Sequence, residues 1–519
     1  MQLPKSDQIC HAISSVLSSS VKSTISLLQS LSSNTTARSA IELSENVLYG
    51  HHYSSISQSV SGLSSDTASH ALLEESLQKI YMGYYEEQPR YILQTDTTPI
   101  IKAFSAKMSD RQYIQYIQIP NNVIAGNKSL SIGYKYSYVN LGYRPAKGSR
   151  WSLPLSVKRV TSDTTSVRTA IEQTHDLLKH PSLPFGKAML VIQTVDSGYC
   201  TPKFIAPLVE SYDNLAIIVR FRHGTKVWQQ ATKEAENGTN KRGTPAIYGD
   251  TTYYLQTRTG LHATKNGKTK EISRKMRTAI YDLPCNECLI IEEKTSRGRA
   301  LKIEIRLWKN LMIRAKEGNN MKNKPFNLIS VQVVDAQTGE LVFQKPMFIG
   351  IFGKPKEQIT ALEGYQYYRQ RYDIEGHNRF SKQRLLLEKY QTPDVQTLDN
   401  WTLLVACAYW LLFVAADDVE ANPKPWEMYL PKVKELLKQN EEQNEEHIEQ
   451  TQQEKKPKLS VAQTQKAAAK LFNTFDRKHL VPKSVKNGKG RKKGDKQPPK
   501  KSFKVVKKSD FDNKTRKNE

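Results

Sequence analysis

The chain has 519 residues, with 77 Lys and Arg against 51 Asp and Glu and a formal net charge of +26. That length allows a large core plus smaller units, since domains run to about 100–200 residues, and the charge makes a polyanion, nucleic acid first, the partner to expect. Five scattered cysteines exclude a disulfide framework, and Met1–Asp7 lacks the pattern of a secretion signal, so a reducing, cytoplasmic setting is expected.

Up to about residue 85 the sequence is serine-rich, but Ile13, Val16, Val21, Ile25 and Leu28 recur near helical spacing and predict helices. Within it, Tyr53–Gln78 reads as two helices. One runs through Ile56 and Val60 to Gly62; the second is capped by Ser65 or Asp66 and turns Ala68, Ala71 and Leu72 inward. This is a helix-turn-helix outline, as open to an ordinary helical hairpin as to a DNA-reading unit.

From about residue 86 the texture is that of strands. Arg90–Thr95 runs into Asp96, and Tyr113–Ile119 and Leu130–Tyr138 follow as a meander around a turn at Asn121 and Asn127. Ser162 or Asp163 caps a helix through Val167, Ile171 and Leu177 that stops before Pro181. Met189–Val195 is a continuous apolar run of the kind buried on both sheet faces, and it ends in Asp196. Pro202 opens a helix to about Glu210, followed by the strand Leu215–Val219. Acidic residues at the carboxyl ends of adjacent strands converge on one crevice, so Asp96 and Asp196 together suggest a site.

Residues 221–357 read as a β-rich insertion, with short runs at Thr252–Gln256, Leu289–Glu293, Leu301–Leu307, Ile329–Val334 and Leu341–Phe343 and a hairpin turn at Asp335–Gly339. Cys285 and Cys288 form a CxxC without a second pair at zinc spacing, so a hairpin turn is expected there, not a metal. From Ala361 the pattern predicts one long helix. Trp401–Ala416 is almost wholly apolar but shorter than the roughly 20 residues of a membrane span, and reads as a buried core helix with no membrane partner. Asn440–Lys456 is a Glu/Gln linker and Lys466–Phe472 a short helix. The segment after Arg477 carries nearly half of the excess charge, is too polar to fold alone, and suits sequence-independent DNA binding through counterion release. The expected units are thus a helical DNA-end-binding domain at 1–85, a core in two parts at 86–220 and 358–437 around the insertion, and a linker with basic tail at 438–519.

On the long helix, at about 100° per residue, Arg371, Glu375 and Lys382 sit near 300°, 340° and 320° from Tyr368, so the four share a stripe roughly 60° wide. A solvated Arg371–Glu375 pair gives the same pattern. A carboxylate flanked by cations also suits a metal site that grips the phosphates beside the one being cut. His377, about 180° from Tyr368, lies off the stripe.

The spacing Tyr368-x2-Arg371-x3-Glu375-x6-Lys382 resembles the signature of the insertion-sequence DDE transposases of group four and close relatives. The likeness covers about residues 86–416, and Arg150–Val160 and Ile218–Arg222 are similar as well. It implies an α/β fold: an RNase H-like mixed sheet flanked by helices, a β-rich insertion between the second Asp and the Glu, a helical N-terminal domain and a disordered basic tail. Asp96 would end the first strand and Asp196 the fourth.

The implied activity is metal-dependent cleavage and strand transfer of DNA by a cut-and-paste route. Asp96, Asp196 and Glu375 are the implied catalytic and metal-binding residues, for two Mg²⁺ (Mn²⁺ can substitute) roughly 4 Å apart. Tyr368 and Arg371 would contact the phosphate at the transposon end, supported by Lys382. Arg220 and Arg222 are the next phosphate contacts, with edge-strand solvation as the equal alternative. Ser197 departs from the family, many of whose members carry a basic residue after the second Asp. Trp228 and Trp308 are candidates to stack a flipped base, though core packing is expected for each. The implied partners are double-stranded DNA with terminal inverted repeats and a second copy on that DNA, at the nucleoid. An inactive transposase-derived DNA-binding protein and an RNase H-like nuclease that only cuts remain as alternatives.

Overall fold

The chain builds two cores, one around a single apolar helix and one around a sheet, and contributes to them in alternation. Unit 1 takes Met1–Glu87, Thr97–Gln173 and Asp373–Glu519; unit 2 takes Gln88–Asp96 and Thr174–Tyr372. The computed structural model describes residues 3–115, 130–145, 149–231, 247–265, 272–295, 298–314, 321–419, 458–471 and 501–506.

Unit 1 is organised by the helix Val395–Ala415, α9 in chain order, which Asp394 caps by accepting the Thr397 N–H at 2.7 Å. Apolar on every side, such a helix has to be surrounded. It packs against α1 (Lys5–Val16), α2 (Val21–Ser32), α3 (Ser54–Ser61), α4 (Thr67–Gly83), strand β4 (Trp151–Val160) and α10 (Val461–Leu471). It is long and apolar enough to cross a membrane, but 94% of that stretch is buried, as expected of a core helix. Trp410 stacks on Tyr81 at 4.7 Å and donates to the Pro154 carbonyl.

Helix α4 begins at the expected Asp66, in a capping box with Ser69. Its inward face differs from the expectation. Leu73, Leu77 and Tyr81 are buried, whereas Ala68, Ala71 and Leu72 are exposed, Leu72 at 66%. Glu74 explains the shift: its carboxylate lies in the buried stripe, where it accepts the Val157 N–H at 2.7 Å. A buried acid satisfied by a backbone donor does not show in an apolar pattern.

The strands of unit 1 are β2 (Gln112–Gln115), β3 (Leu130–Tyr143), β4 and the second half of β1 (Arg90–Ile101), with β3 antiparallel to β2 and β4. The expected turn at Asn121 and Asn127, and the end of the predicted strand Tyr113–Ile119, fall outside the described residues.

One part of the tail refines the expected short helix, and another corrects the expectation of disorder. Helix α10 starts at Val461, not at Lys466, and just before it the Leu459 carbonyl accepts from Trp151 Nε1 at 3.0 Å while Lys458 Nζ lies 4.0 Å above the Phe413 ring. Further on, Val506 forms a parallel bridge with Gln112, and the Phe503 N–H donates to the Ala106 carbonyl at 2.9 Å. Both segments find their backbone partners in unit 1, which their own composition could not announce. The Glu/Gln linker lies outside the described residues.

In unit 2 the first half of β1 pairs in parallel with β5 (Leu190–Val195), and β5 in parallel with β6 (Leu215–Phe221). Helix α6 (Pro202–Ser211) is the crossover between β5 and β6 and starts at the expected proline. The preceding helix, α5 (Ser166–Lys179), starts later than predicted: Thr165 caps it by accepting the Arg168 N–H at 3.2 Å. The earlier candidates are otherwise engaged, the Asp163 carboxylate by the Thr161 hydroxyl and the Ser162 N–H by Asp110.

From β6 the sheet continues antiparallel through β14 (Met347–Phe352), β13 (Phe326–Asp335), β12 (Ala300–Met312), β7 (Lys226–Gln230) and β8 (Tyr248–Tyr254). Beyond β8 come β10 (Ile272–Ala279) and β9 (Gly260–Lys265), while β11 (Glu287–Lys294) pairs with β12. The β-rich stretch therefore extends the sheet of the parallel strands. The turn at Asp335–Gly339 is as predicted, with Asp335 accepting the Gln337 and Thr338 N–H groups and Gly339 at φ 72°. The CxxC is not a hairpin turn: β10 and β11 do not pair, and Cys285 lies in the connection between them.

Helix α7 (Ala361–Gln370) covers this sheet. Its Tyr365 and Tyr368 join Ile192, Ile218, Ile329 and Ile351 in the core. Gly364 makes the approach close: a Cβ there would meet Ile329 Cδ1 at 2.5 Å.

Candidate active site

The six residues of β5 are all buried, and Asp196 is the first to emerge from them. A turn fixes its carboxylate, with Oδ1 accepting the Gly198 N–H at 2.8 Å. The register Thr95↔Val195 brings Asp96 level with Asp196 on the neighbouring strand. Parallel neighbours lie about 4.8 Å apart, so the backbones of Asp96 and Asp196 follow directly on the last paired residues of two adjacent strands.

Two expectations about these strands need correction. Strand β1 does not end at Asp96 but runs to Ile101; what ends there is its pairing with β5. Asp196 follows the fifth strand, not the fourth, because Trp151–Val160, not predicted as a strand, forms β4.

Side chains missed by sequence reasoning hold this edge. The Gln193 Nε2 donates to Thr95 Oγ1 at 2.9 Å and to Thr174 Oγ1 at 2.8 Å, and Thr194 donates to the Leu93 carbonyl at 3.2 Å. The available signal was a pair of polar residues inside an otherwise apolar buried strand, where each requires a partner.

The predicted long helix is broken at Arg371. Helix α7 ends at Gln370 and α8 (Tyr372–Gln383) begins after it. The Arg371 N–H donates to the Tyr368 carbonyl three residues back at 3.0 Å, which tightens the turn. Arg371 itself keeps helical dihedrals, φ −53° and ψ −32°, so the interruption is one tightened turn. The helical segment also ends at Gln383, short of the predicted extent. Leu386 takes φ 56°, and the turn there lets Leu385, Leu386 and Leu387 all be buried, which no single helix face allows.

Within unit 2, Tyr368 has no exposed surface, and burial pushes its hydroxyl up to about 12 against the opposing charges of Arg371 and Arg220. The Arg371 guanidinium lies 5.9 Å from the Tyr368 ring and 4.7 Å from that of Tyr372. Arg220 and Arg222, at the end of β6, are exposed. Gln94 Nε2 donates to the Gln370 carbonyl at 2.7 Å, so α7 ends beside β1 just before Asp96.

Within unit 1, Glu375 is exposed in the first turn of α8. That turn is anchored by Arg144, which grips Asp373 with two bonds of 2.8 and 3.0 Å. Lys382 is engaged on both sides, donating to the Pro99 carbonyl at 2.8 Å and pairing with Glu388 at 2.8 Å. His377 is buried against the Tyr409 ring at 4.6 Å, and burial pushes it down to about 4, so it is a neutral packing residue.

Trp228 and Trp308 are buried as expected, Trp308 donating to the Leu283 carbonyl. Among the described residues no group of three or more His, Cys, Asp or Glu side chains stands close enough to hold a metal ion. As oxygen donors, the carboxylates of Asp96 and Asp196 in unit 2 suit a hard divalent ion.

The DDE superfamily endonuclease family matches residues 21–278, just under half of the chain, a stretch that includes Asp96 and Asp196. The match supports the DDE transposase and nuclease class. No curated protein matches the sequence. Among solved structures, the chain is similar to the piggyBac transposase in a cryo-EM structure of its synaptic complex with hairpin DNA, at 10% identity and a TM-score of 0.33 over 94% of this chain and 78% of that one. A likeness at that level transfers no residue roles.

Proposed function

We propose that this chain is a DDE transposase in which Asp96, Asp196 and Glu375 form one metal-dependent site for cleavage and strand transfer of an insertion sequence by a cut-and-paste route. The family match supports the class. The observation that carries the site is the register that sets Asp96 level with Asp196. The third member, Glu375, rests on the typed spacing Tyr368-x2-Arg371-x3-Glu375-x6-Lys382. The parallel strands β1, β5 and β6 with their helical crossover support an RNase H-like core, with 221–357 as its β-rich insertion.

When bound, a pair of Mg²⁺ or Mn²⁺ ions supplies activation of water or a 3′-hydroxyl and stabilisation of the leaving oxygen in an in-line displacement. The three carboxylates would hold them. Arg371, Arg220 and Arg222 grip the neighbouring phosphates, as guanidinium groups do with two-pronged geometry. Tyr368 keeps its hydroxyl proton and braces Arg371 with its ring, and Lys382 braces the second half of β1 through Pro99. Residues 1–85 bind the DNA end and the basic tail adds sequence-independent affinity. The partner is double-stranded DNA with terminal inverted repeats, bound by two copies in the cytoplasm at the nucleoid.

The test is incubation of the purified chain with Mg²⁺ and a DNA fragment carrying the element's terminal repeat, beside an Asp96→Ala variant. Wild type is expected to cut and join, and the variant to do neither. Identical products from both would overturn the catalytic reading, and binding without cutting by wild type would replace it with the inactive DNA-binding reading.

A further inference from the structure

The loop that follows Asp196 forms one wall of a cavity in unit 2 of about 260 Å³, closed by the junction of β6 and β7 and the end of β12. Its charged lining is entirely cationic: Arg222, Lys226 and Arg314. No carboxylate among the described residues pairs with any of the three.

Aromatic faces hold two of these cations instead. The Arg314 guanidinium sits 4.6 Å from the Trp228 ring and 4.8 Å from that of Tyr248, and Lys226 Nζ sits 5.7 Å from the Tyr254 ring. A ring face orients a cation without neutralising it, so the positive charge stays available to a ligand. The half-buried Cys200 thiol, which desolvation pushes up to about 12, adds no negative charge. Pro202, Phe221 and Ile313 give the wall an apolar part, and Ser197, Thr201 and Thr225 a neutral polar one.

We propose that this cavity binds the terminal 5′-phosphate of a DNA strand. Three converging cations exceed the single charge of a backbone diester, whereas a terminal phosphate carries about −1.5 to −2 at neutral pH. A concave pocket with an apolar wall accepts a chain end and its sugar; a backbone running past would call for an open groove. The inference rests on the transposase reading for the origin of its ligand. Hydrolysis there breaks the P–O3′ bond, the water oxygen stays on phosphorus, and the departing oxygen takes the proton, so one product end is a 5′-phosphate beside the loop that carries Asp196.

The test uses the full-length protein in EDTA and two 3′-labelled duplexes of one sequence, one with a 5′-phosphate and one with a 5′-hydroxyl. Wild type is expected to prefer the phosphorylated duplex by about tenfold, the scale of one charge-assisted hydrogen bond. In Arg314→Gln and Lys226→Gln the ratio of the two affinities is expected to fall towards one, a readout that does not depend on how much protein is active. Equal affinity in wild type, or a preference that survives in both variants, overturns the proposal. Cleavage with Mg²⁺ is read separately: cutting without the preference removes the cavity inference alone, and the preference without cutting supports the cavity while removing the transposase reading.

Discussion

Strand β5 and the helical segment Ala361–Gln383 each carry one acidic residue of the proposed site, and they hold it in different ways. On β5 six buried residues are fixed by parallel ladders on both sides, so Asp196 stands where burial ends. The helical segment is interrupted at Arg371, and its two halves are held by packing and scattered side-chain contacts: Tyr365 and Tyr368 in the sheet core and Gln94 on Gln370 in unit 2, Arg144 on Asp373 and His377 on Tyr409 in unit 1. A strand end is set by its neighbours and by the apolar run itself. A helix carries angular phase only as far as its i→i−4 ladder is unbroken.

The sharpest way to break this contrast is to remove one carboxylate from each side. Asp196→Asn and Glu375→Gln are each expected to lower DNA cleavage by more than the roughly 10–100-fold that an outer-shell partner of a metal site is worth. Neither group is buried, so thermal midpoints should stay close to wild type. Full cleavage by Glu375→Gln would leave the strand edge to work without the helix.

Arg144→Ala comes next. It strips the partner from Asp373 in a pair whose side chains are only 20% and 15% exposed, at an expected cost of about 2 kcal/mol in denaturant unfolding. Cleavage should fall with DNA affinity retained, because Arg144 positions α8 without touching DNA. Arg144→Lys should recover only part of the loss, since an ammonium cannot reproduce the two-pronged grip.

Tyr368→Phe is expected to change stability by less than about 1 kcal/mol and to keep DNA affinity, because the ring under Arg371 remains. Arg371→Ala should weaken binding. Equal loss in the two variants would show that the hydroxyl itself meets DNA and that the core opens to let it.

The smallest effect is expected at the hairpin turn. Arg299 and the Thr338 and Gln337 N–H groups hold the Asp335 carboxyl at about 2, below its ordinary 3.8. A lowered acid stabilises fully above the unfolded value, and that contribution is lost as pH falls through about 2. Amide exchange at Gln337 and Thr338 should therefore quicken as pH drops from about 4 to 2 beyond its intrinsic pH dependence, and Asp335→Asn should abolish that excess.

Features decided by local chemistry were legible in the sequence. The buried α9, the Asp66 cap, the Pro202 helix start and the Asp335–Gly339 turn all follow from the residues at those positions. Features decided by distant partners were not. Glu74 lies on the buried face of α4 where Val157 offers a donor, the Asp163 carboxylate is engaged by Thr161 while Thr165 caps α5, and the residues around Phe503 and Val506 pair with the edge of β2. The carboxylates divide along the same line: apolar runs pointed to Asp96 and Asp196, whereas Glu375 was found by a typed spacing.

Binding of Mn²⁺ to the full-length protein with a terminal-repeat duplex, followed by electron paramagnetic resonance, tests the central claim most directly. It should be measured for wild type, Asp96→Asn, Asp196→Asn and Glu375→Gln. One site built from three carboxylates predicts that each substitution weakens the same bound ions by about tenfold or more. Mn²⁺ binding by Glu375→Gln indistinguishable from wild type would contradict it.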